Sequence, residues 1–237
     1  MKRTILMAMV CLFFQTTVCQ TTTTLYFLPG LGSTNHLFDR MDFDSTFELV
    51  DIEYPIPAEG STMQSYAKLL SNQIDTSQPF VLVGTSIGGM LAVEMADIVS
   101  PEKVFIIASV KTRNELPPRY KFQRTVPIHK LVNSTIIKKS TKLLQPVVEP
   151  DSKCDRNVFQ AMLEAKDPLF MKRAVEMILL WDREAYSDNI NHIHGNKDHT
   201  LPIRFTKPDY VVEGGSHMMT LTRAGVIQGI IEDVLKD

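Results

Sequence analysis

Residues 80–96, FVLVGTSIGGMLAVEMA, constrain the fold of this chain more than any other stretch. Four apolar residues run into Gly84-Thr85-Ser86-Ile87-Gly88, and a helical pattern begins at once. Glycine two residues before and two residues after a serine, at the junction of an apolar strand and a helix, is what a sharp strand-to-helix turn requires, because side chains at those places would collide. Such a turn forces the serine into an unfavourable backbone conformation, at about 1–3 kcal/mol, and lifts its hydroxyl clear of the sheet. A G-x-S-x-G match alone arises by chance in about one chain in twenty of this length. The strand before it and the helix after it make the signal much stronger.

The rest of the chain alternates in the same way. Short apolar β-type runs at 25–28, 47–52, 80–83, 103–109, 190–193 and 210–212 are separated by the helical patterns STNHLFDRM, STMQSYAKLLSNQI and GGMLAVEMADIV, and a last one covers 222–235. This reads as an α/β fold: a mostly parallel central sheet with flanking crossover helices. The alternation lapses over 111–187, where patterns such as QAMLEAKDPLFMKRAVEMILLW occur with no strand signal between them. The expected organisation is therefore a core of 20–110 and 188–237 carrying a helical cap, 111–187. Phe170, Ala174, Met177, Ile178 and Trp181 fall at helix spacing, as a packed face does. Residues 119–142 carry seven Lys or Arg and no acid, which reads as a solvated basic face or an anion-binding surface.

At the N-terminus, Lys2 and Arg3 precede ten apolar residues, 5–14, and then a polar stretch with small residues near Thr17 and Cys19. That is the layout of a secretory signal over 1–19. The run is too short to span a bilayer core, which takes about 20 residues, so the chain is expected to be exported with no integral membrane segment after processing. A buried first strand and a lipid-anchored Cys19 are the rival readings. Removal of 1–19 leaves Cys154 alone, so neither a disulfide framework nor a cysteine metal cluster is expected. With 25 Lys and Arg against 27 Asp and Glu, the net charge is -2, and no global basic field exists to bind nucleic acid.

A serine hydroxyl is a weak nucleophile until a base takes its proton and an acid holds that base in the right tautomer. Downstream, INHIHGNKDHTLPI ends a strand and presents Asp198, and DYVVEGGSHMM releases a strand into a loop bearing His217. Both lie beyond carboxyl ends of strands, where open α/β sheets bind ligands. The strand end at Ser109, Val110 and Lys111 supplies no carboxylate. His199 adjoins Asp198 in sequence, so their side chains diverge. His192 and His194 lie on a strand and read as structural or surface residues, and His36 and His129 lack an acid and strand-end context. For the oxyanion, LPGLGST supplies a glycine turn whose Leu31 N–H can face the N–H of Ile87, at the start of a helix.

The segments LPGLGS, GTSIGG, HGNKDHTLP and GGSHMM, in this order, resemble the α/β-hydrolase family over essentially the whole chain beyond the signal. The resemblance implies Ser86 as nucleophile, Asp198 as acid, His217 as base, and Leu31 with Ile87 as oxyanion donors. Two departures stand out. Pro29 occupies a position where many members have His, and the short stretch before residue 25 implies a minimal sheet. The expected activity is a cofactor-free, metal-free serine hydrolase acting on carboxylic esters or thioesters of small molecules, with a hydrophobic acyl part suggested by the apolar cap. The alternatives on the same constellation are a carbon–carbon bond hydrolase, a cofactor-free peroxidase, and a ligand-binding protein without turnover.

Overall fold

The computed structural model describes residues 22–125 and 156–236. The expected signal segment, Cys154, His129 and most of the basic stretch lie outside those residues. Six strands, β1 (Thr23–Leu28), β2 (Phe47–Asp51), β3 (Phe80–Thr85), β4 (Lys103–Ile107), β5 (Ile190–Gly195) and β6 (Tyr210–Val212), form one sheet in the order β2-β1-β3-β4-β5-β6. Every pairing is parallel. Strand β3 is buried along its whole length, as its unbroken apolar run requires of a central parallel strand covered on both faces. The register sets Leu28 opposite Gly84 and Thr85 opposite Ile107, which lines up the carboxyl ends of the middle strands.

The flanking helices are α1 (Met63–Leu70), α2 (Ile87–Val99), α3 (Pro118–Thr125), α4 (Arg156–Ala165), α5 (Pro168–Leu180), α6 (Met219–Thr222) and α7 (Ala224–Lys236). Helix α1 begins on a capping box in which Thr62 and Ser65 exchange hydrogen bonds. Helix α2 packs on β3 and β4 and beside α1. Ten of its thirteen residues are buried, so it reads as apolar nearly all round. Among the described residues no helix is long and apolar enough to cross a membrane.

Two local expectations are corrected. STNHLFDRM forms only a 3-10 turn at Asn35–Leu37. Its Ser, Thr, Asn, His and Asp are weak helix formers that compete for backbone hydrogen bonds, and the Ser33 hydroxyl donates back to the Gly30 carbonyl. The apolar residues there serve packing instead, with the Phe38 ring 4.7 Å from that of Phe27. The strand expected over 103–109 stops at Ile107, because Ala108 takes a positive φ of 47°.

Between β4 and β5, which are neighbours in the sheet, the described residues of 111–187 contain helices and no strand. Asp167 caps α5 by accepting from the Leu169 and Phe170 amides, with Pro168 at the first helical position. Phe170, Ala174, Met177 and Trp181 are all buried, and Ile178 packs partly exposed beside them. This segment is fastened to the core by polar contacts as well. The Trp181 indole N–H donates to buried Glu94 of α2 at 2.7 Å, and Arg183 reaches Glu94 at 3.4 Å and Asp97 at 2.8 Å.

Candidate active site

Ser86 sits between β3 and α2 with φ 55° and ψ -119°, outside the regions that residues other than glycine favour. The surroundings hold it there. Its amide donates to the Ile107 carbonyl at 3.0 Å, and its carbonyl accepts from the Ser109 hydroxyl at 2.6 Å. A methyl group on Gly88 would come within 2.0 Å of the Leu28 carbonyl oxygen, and one on Gly84 within 2.3 Å of the Gly88 oxygen. Both glycines are therefore demanded by close backbone approach, which explains the flanking pattern in the sequence.

The two downstream loops converge on this turn. His217 Nε2 lies 3.1 Å from Ser86 Oγ, and His217 Nδ1 lies 2.8 Å from Asp198 Oδ2. The other carboxylate oxygen of Asp198 accepts from the amides of Thr200, at 2.8 Å, and Leu201, at 2.7 Å. Asp198 is only 4% exposed. Burial pushes its carboxyl up, but the charge and hydrogen bond of His217, then His194 and the Leu201 amide, outweigh burial and hold it below the usual carboxylate value. An ionised Asp198 accepting at Nδ1 leaves Nε2 of a neutral His217 free to accept the Ser86 proton.

The loops are tied to each other as well. The Lys197 amide donates to the Gly215 carbonyl at 2.9 Å, and the Gly214 amide to Asn196 Oδ1 at 2.8 Å. On the other side of Ser86, a methyl group at Gly30 would stand 3.3 Å from Ser86 Cβ, so the LPGLGS turn lies against the serine. Ile87 is the first residue of α2, and its N–H is among those a helix start leaves without an intrahelical acceptor. Leu31, half-buried, stands between Gly30 and Gly32 in the same turn. The Tyr54 hydroxyl donates to the Pro29 carbonyl at 3.2 Å and fixes the turn from outside.

Ser86, His217 and Asp198 thus come together beyond the carboxyl ends of β3, β5 and β6, with Ile87 following the serine and Leu31 in the turn that follows β1. The remaining histidines divide differently. His199 is exposed while its neighbour Asp198 is buried, as their adjacency requires. His36 does have an acid partner, Asp39 at 2.8 Å, in an exposed local pair. His192 and His194 are wholly buried, and they are hydrogen-bonded to each other at 2.9 Å. A further supporting residue, Ser109, carried no sequence signal, because a serine after a strand is common in any loop.

Beside the LPGLGS turn a cavity of about 320 Å³ is lined by Pro29, Ile52 and Tyr54 together with the polar Thr34, Asn35, His36, Asp51, Glu53 and Lys166. Phe170, Met171, Ala174 and Met177 of α5 are taken up in packing, while Leu169 and Leu180 are exposed.

No protein-family model matches the chain, and neither does any curated protein. Solved structures do. An esterase from Exiguobacterium antarcticum superposes with a TM-score of 0.68 at 14% identity, over 91% of this chain and 92% of that one. The enol-lactonase from Burkholderia xenovorans LB400 gives 0.70 at 14% identity, over 91% and 92%. A hydrolase from Pseudomonas aeruginosa PA01 gives 0.67 at 13% identity, over 91% of each chain. The chain has the α/β-hydrolase fold.

Proposed function

We propose that this protein is an exported serine hydrolase that cleaves carboxylic esters or thioesters of small molecules through an acyl-Ser86 intermediate. The observation that carries the reading is the continuous contact from Ser86 Oγ through both nitrogens of His217 to buried Asp198. His217 Nε2 takes the hydroxyl proton as Ser86 Oγ attacks the carbonyl carbon, and the Leu31 and Ile87 N–H groups receive the oxyanion. The imidazolium, steadied by Asp198, then gives its proton to the leaving alcohol or thiol. Water, activated by the same nitrogen, releases the acid and restores Ser86. Neighbours described as an esterase and an enol-lactonase support an ester as the bond cleaved.

In this reading 111–187 is a cap that shapes the pocket, and export rests on the pattern of residues 1–19. The hydrophobic acyl part is the composition's suggestion, set against a cavity whose lining is largely polar.

The test is labelling of purified protein by a fluorophosphonate probe, followed by a panel of p-nitrophenyl esters of increasing acyl length. Wild type should label stoichiometrically and turn over, and Ser86→Ala should do neither while keeping its circular dichroism spectrum. A Ser86→Ala protein that labels fully removes Ser86 from the mechanism. Labelling without turnover favours the ligand-binding alternative.

A further inference from the structure

Strand β5 carries His192 and His194 two residues apart, hence on one face, and both rings are fully buried. They meet nearly perpendicular, 85° between planes, with His192 Nε2 2.9 Å from His194 Nδ1. His194 Nε2 continues the chain to the Leu201 carbonyl at 2.7 Å and stands 3.5 Å from Asp198 Oδ2, the oxygen that also receives His217.

The protons on these rings follow from their partners. A carbonyl oxygen only accepts, so His194 Nε2 must carry hydrogen. In a neutral ring Nδ1 is then a lone pair, and His192 Nε2 must donate to it. That leaves Nδ1 of a neutral His192 as a lone pair; it makes no well-formed hydrogen bond among the described residues, and the Ser109 backbone stands against the ring. The order of donors runs one way, from His192 to His194 to Leu201, and ends on the loop that holds Asp198. Leu201 is caught from both sides, because its amide donates to Asp198 Oδ1 while its carbonyl accepts from His194.

We infer that His194, oriented by His192, is a positioning residue for Asp198, locking the 198–201 loop through Leu201 and presenting its Nε2–H toward the carboxylate oxygen that pairs with His217. This rests on the reading of Asp198 as the acid of a Ser86 hydrolase. The pair fixes which nitrogen of His194 bears hydrogen, so the edge facing Asp198 is a donor edge. Without it, Asp198 keeps its two loop amides but loses the strap that holds the loop to β5.

The experiment uses the full chain with a p-nitrophenyl ester. His194→Leu removes both hydrogen bonds, whereas His194→Gln keeps a donor at the place of Nε2. The leucine substitution should lower kcat by about tenfold or more, the usual scale for a residue that orients a first-line group, with KM changed less than about twofold. His194→Gln should recover kcat to within about threefold of wild type. Equal losses in both variants, or His194→Leu with wild-type kcat, overturn the inference. If His194→Leu does not fold, the wild-type protein decides: long-range ¹H–¹⁵N spectra should show His194 neutral with hydrogen on Nε2 at pH 7. Hydrogen on Nδ1 alone sinks it. Ser86→Ala separates this idea from its premise. An active Ser86→Ala protein removes the premise, whereas an inactive one beside an unaffected His194→Leu removes only the role of His194.

Discussion

At Ser86 the backbone is held at φ 55°, and the side chain that makes this unfavourable is the one the proposed chemistry needs. Ser86→Gly tests that balance. Glycine relieves strain of about 1–3 kcal/mol but loses about 0.5–1 kcal/mol through added freedom of the unfolded chain. The variant is therefore expected to melt at or above the wild-type temperature in calorimetry while having no esterase activity. Asp198→Asn should leave the loop in place, yet its amide can present a donor to His217 Nδ1 and favour the wrong tautomer. The expected loss in kcat is about 10⁴, by analogy with the corresponding change in a serine protease. His199→Ala, at an exposed neighbour, should leave kcat/KM within about twofold. If the His199 variant proves the more damaged of the two, the assignment of the acid is wrong. These residues were legible because each lies where an apolar run gives way to glycine or a loop. His192 and His194 were not, since two polar residues inside a strand signal neither burial nor a shared hydrogen bond until the neighbouring strands are in place.

Among the elements, the junction of β3 with α2 tolerates the least change. Gly88→Ala places a methyl group 2.0 Å from the Leu28 carbonyl oxygen, where backbone and not a side-chain tip must yield. A loss of at least ~1–3 kcal/mol is expected from urea denaturation, with probe labelling reduced because the LPGLGS turn moves away from Ser86. Strand β5 brings a pH dependence. Burial, then the neighbouring His194 and Lys111, hold His192 well below its ordinary value of 6.5. Burial also lowers His194, against the opposing pull of Asp198. The unfolded chain takes up these protons first, so the stabilisation is complete above pH 6.5 and is lost as pH falls below it toward the depressed values. The contribution of Asp198 is present above 3.8 and lost only as pH falls through its lowered folded value, so the two effects separate. Urea midpoints should fall between pH 7.5 and 5, and a His192→Gln, His194→Gln double variant should show a shallower slope. An equal slope in the variant would assign the dependence elsewhere. Strands β1, β3 and β4 could be placed from sequence because burial on both faces demands continuous apolar runs, whereas the part-exposed β2 and β6 at the two sheet edges showed only as short β-type runs in the alternation. The turn at 33–41 could not, because its apolar residues reach the core through aromatic packing against Phe27 and not through helical periodicity.

For the whole molecule, the join between the 111–187 segment and the sheet depends on a buried carboxylate. Glu94 lies in the helix that Ser86 opens, and it accepts from both Trp181 and Arg183. Glu94→Leu would leave the guanidinium short of one partner and the indole N–H unsatisfied, at about 3–5 kcal/mol if the whole penalty of a broken buried pair is felt. The expected signature is a lower melting temperature together with altered discrimination among acyl lengths. Unchanged stability would mean that the contact is dispensable. Trp181 is also the only tryptophan in the chain. Its emission is therefore a one-site optical signal, reporting whether the segment is seated on the helix that Ser86 opens, without any added label. In stopped-flow mixing with an ester, a red shift that precedes release of p-nitrophenol would time the unseating of that segment against the chemistry. A flat trace through many turnovers would mean that substrate enters and leaves with the tryptophan still docked.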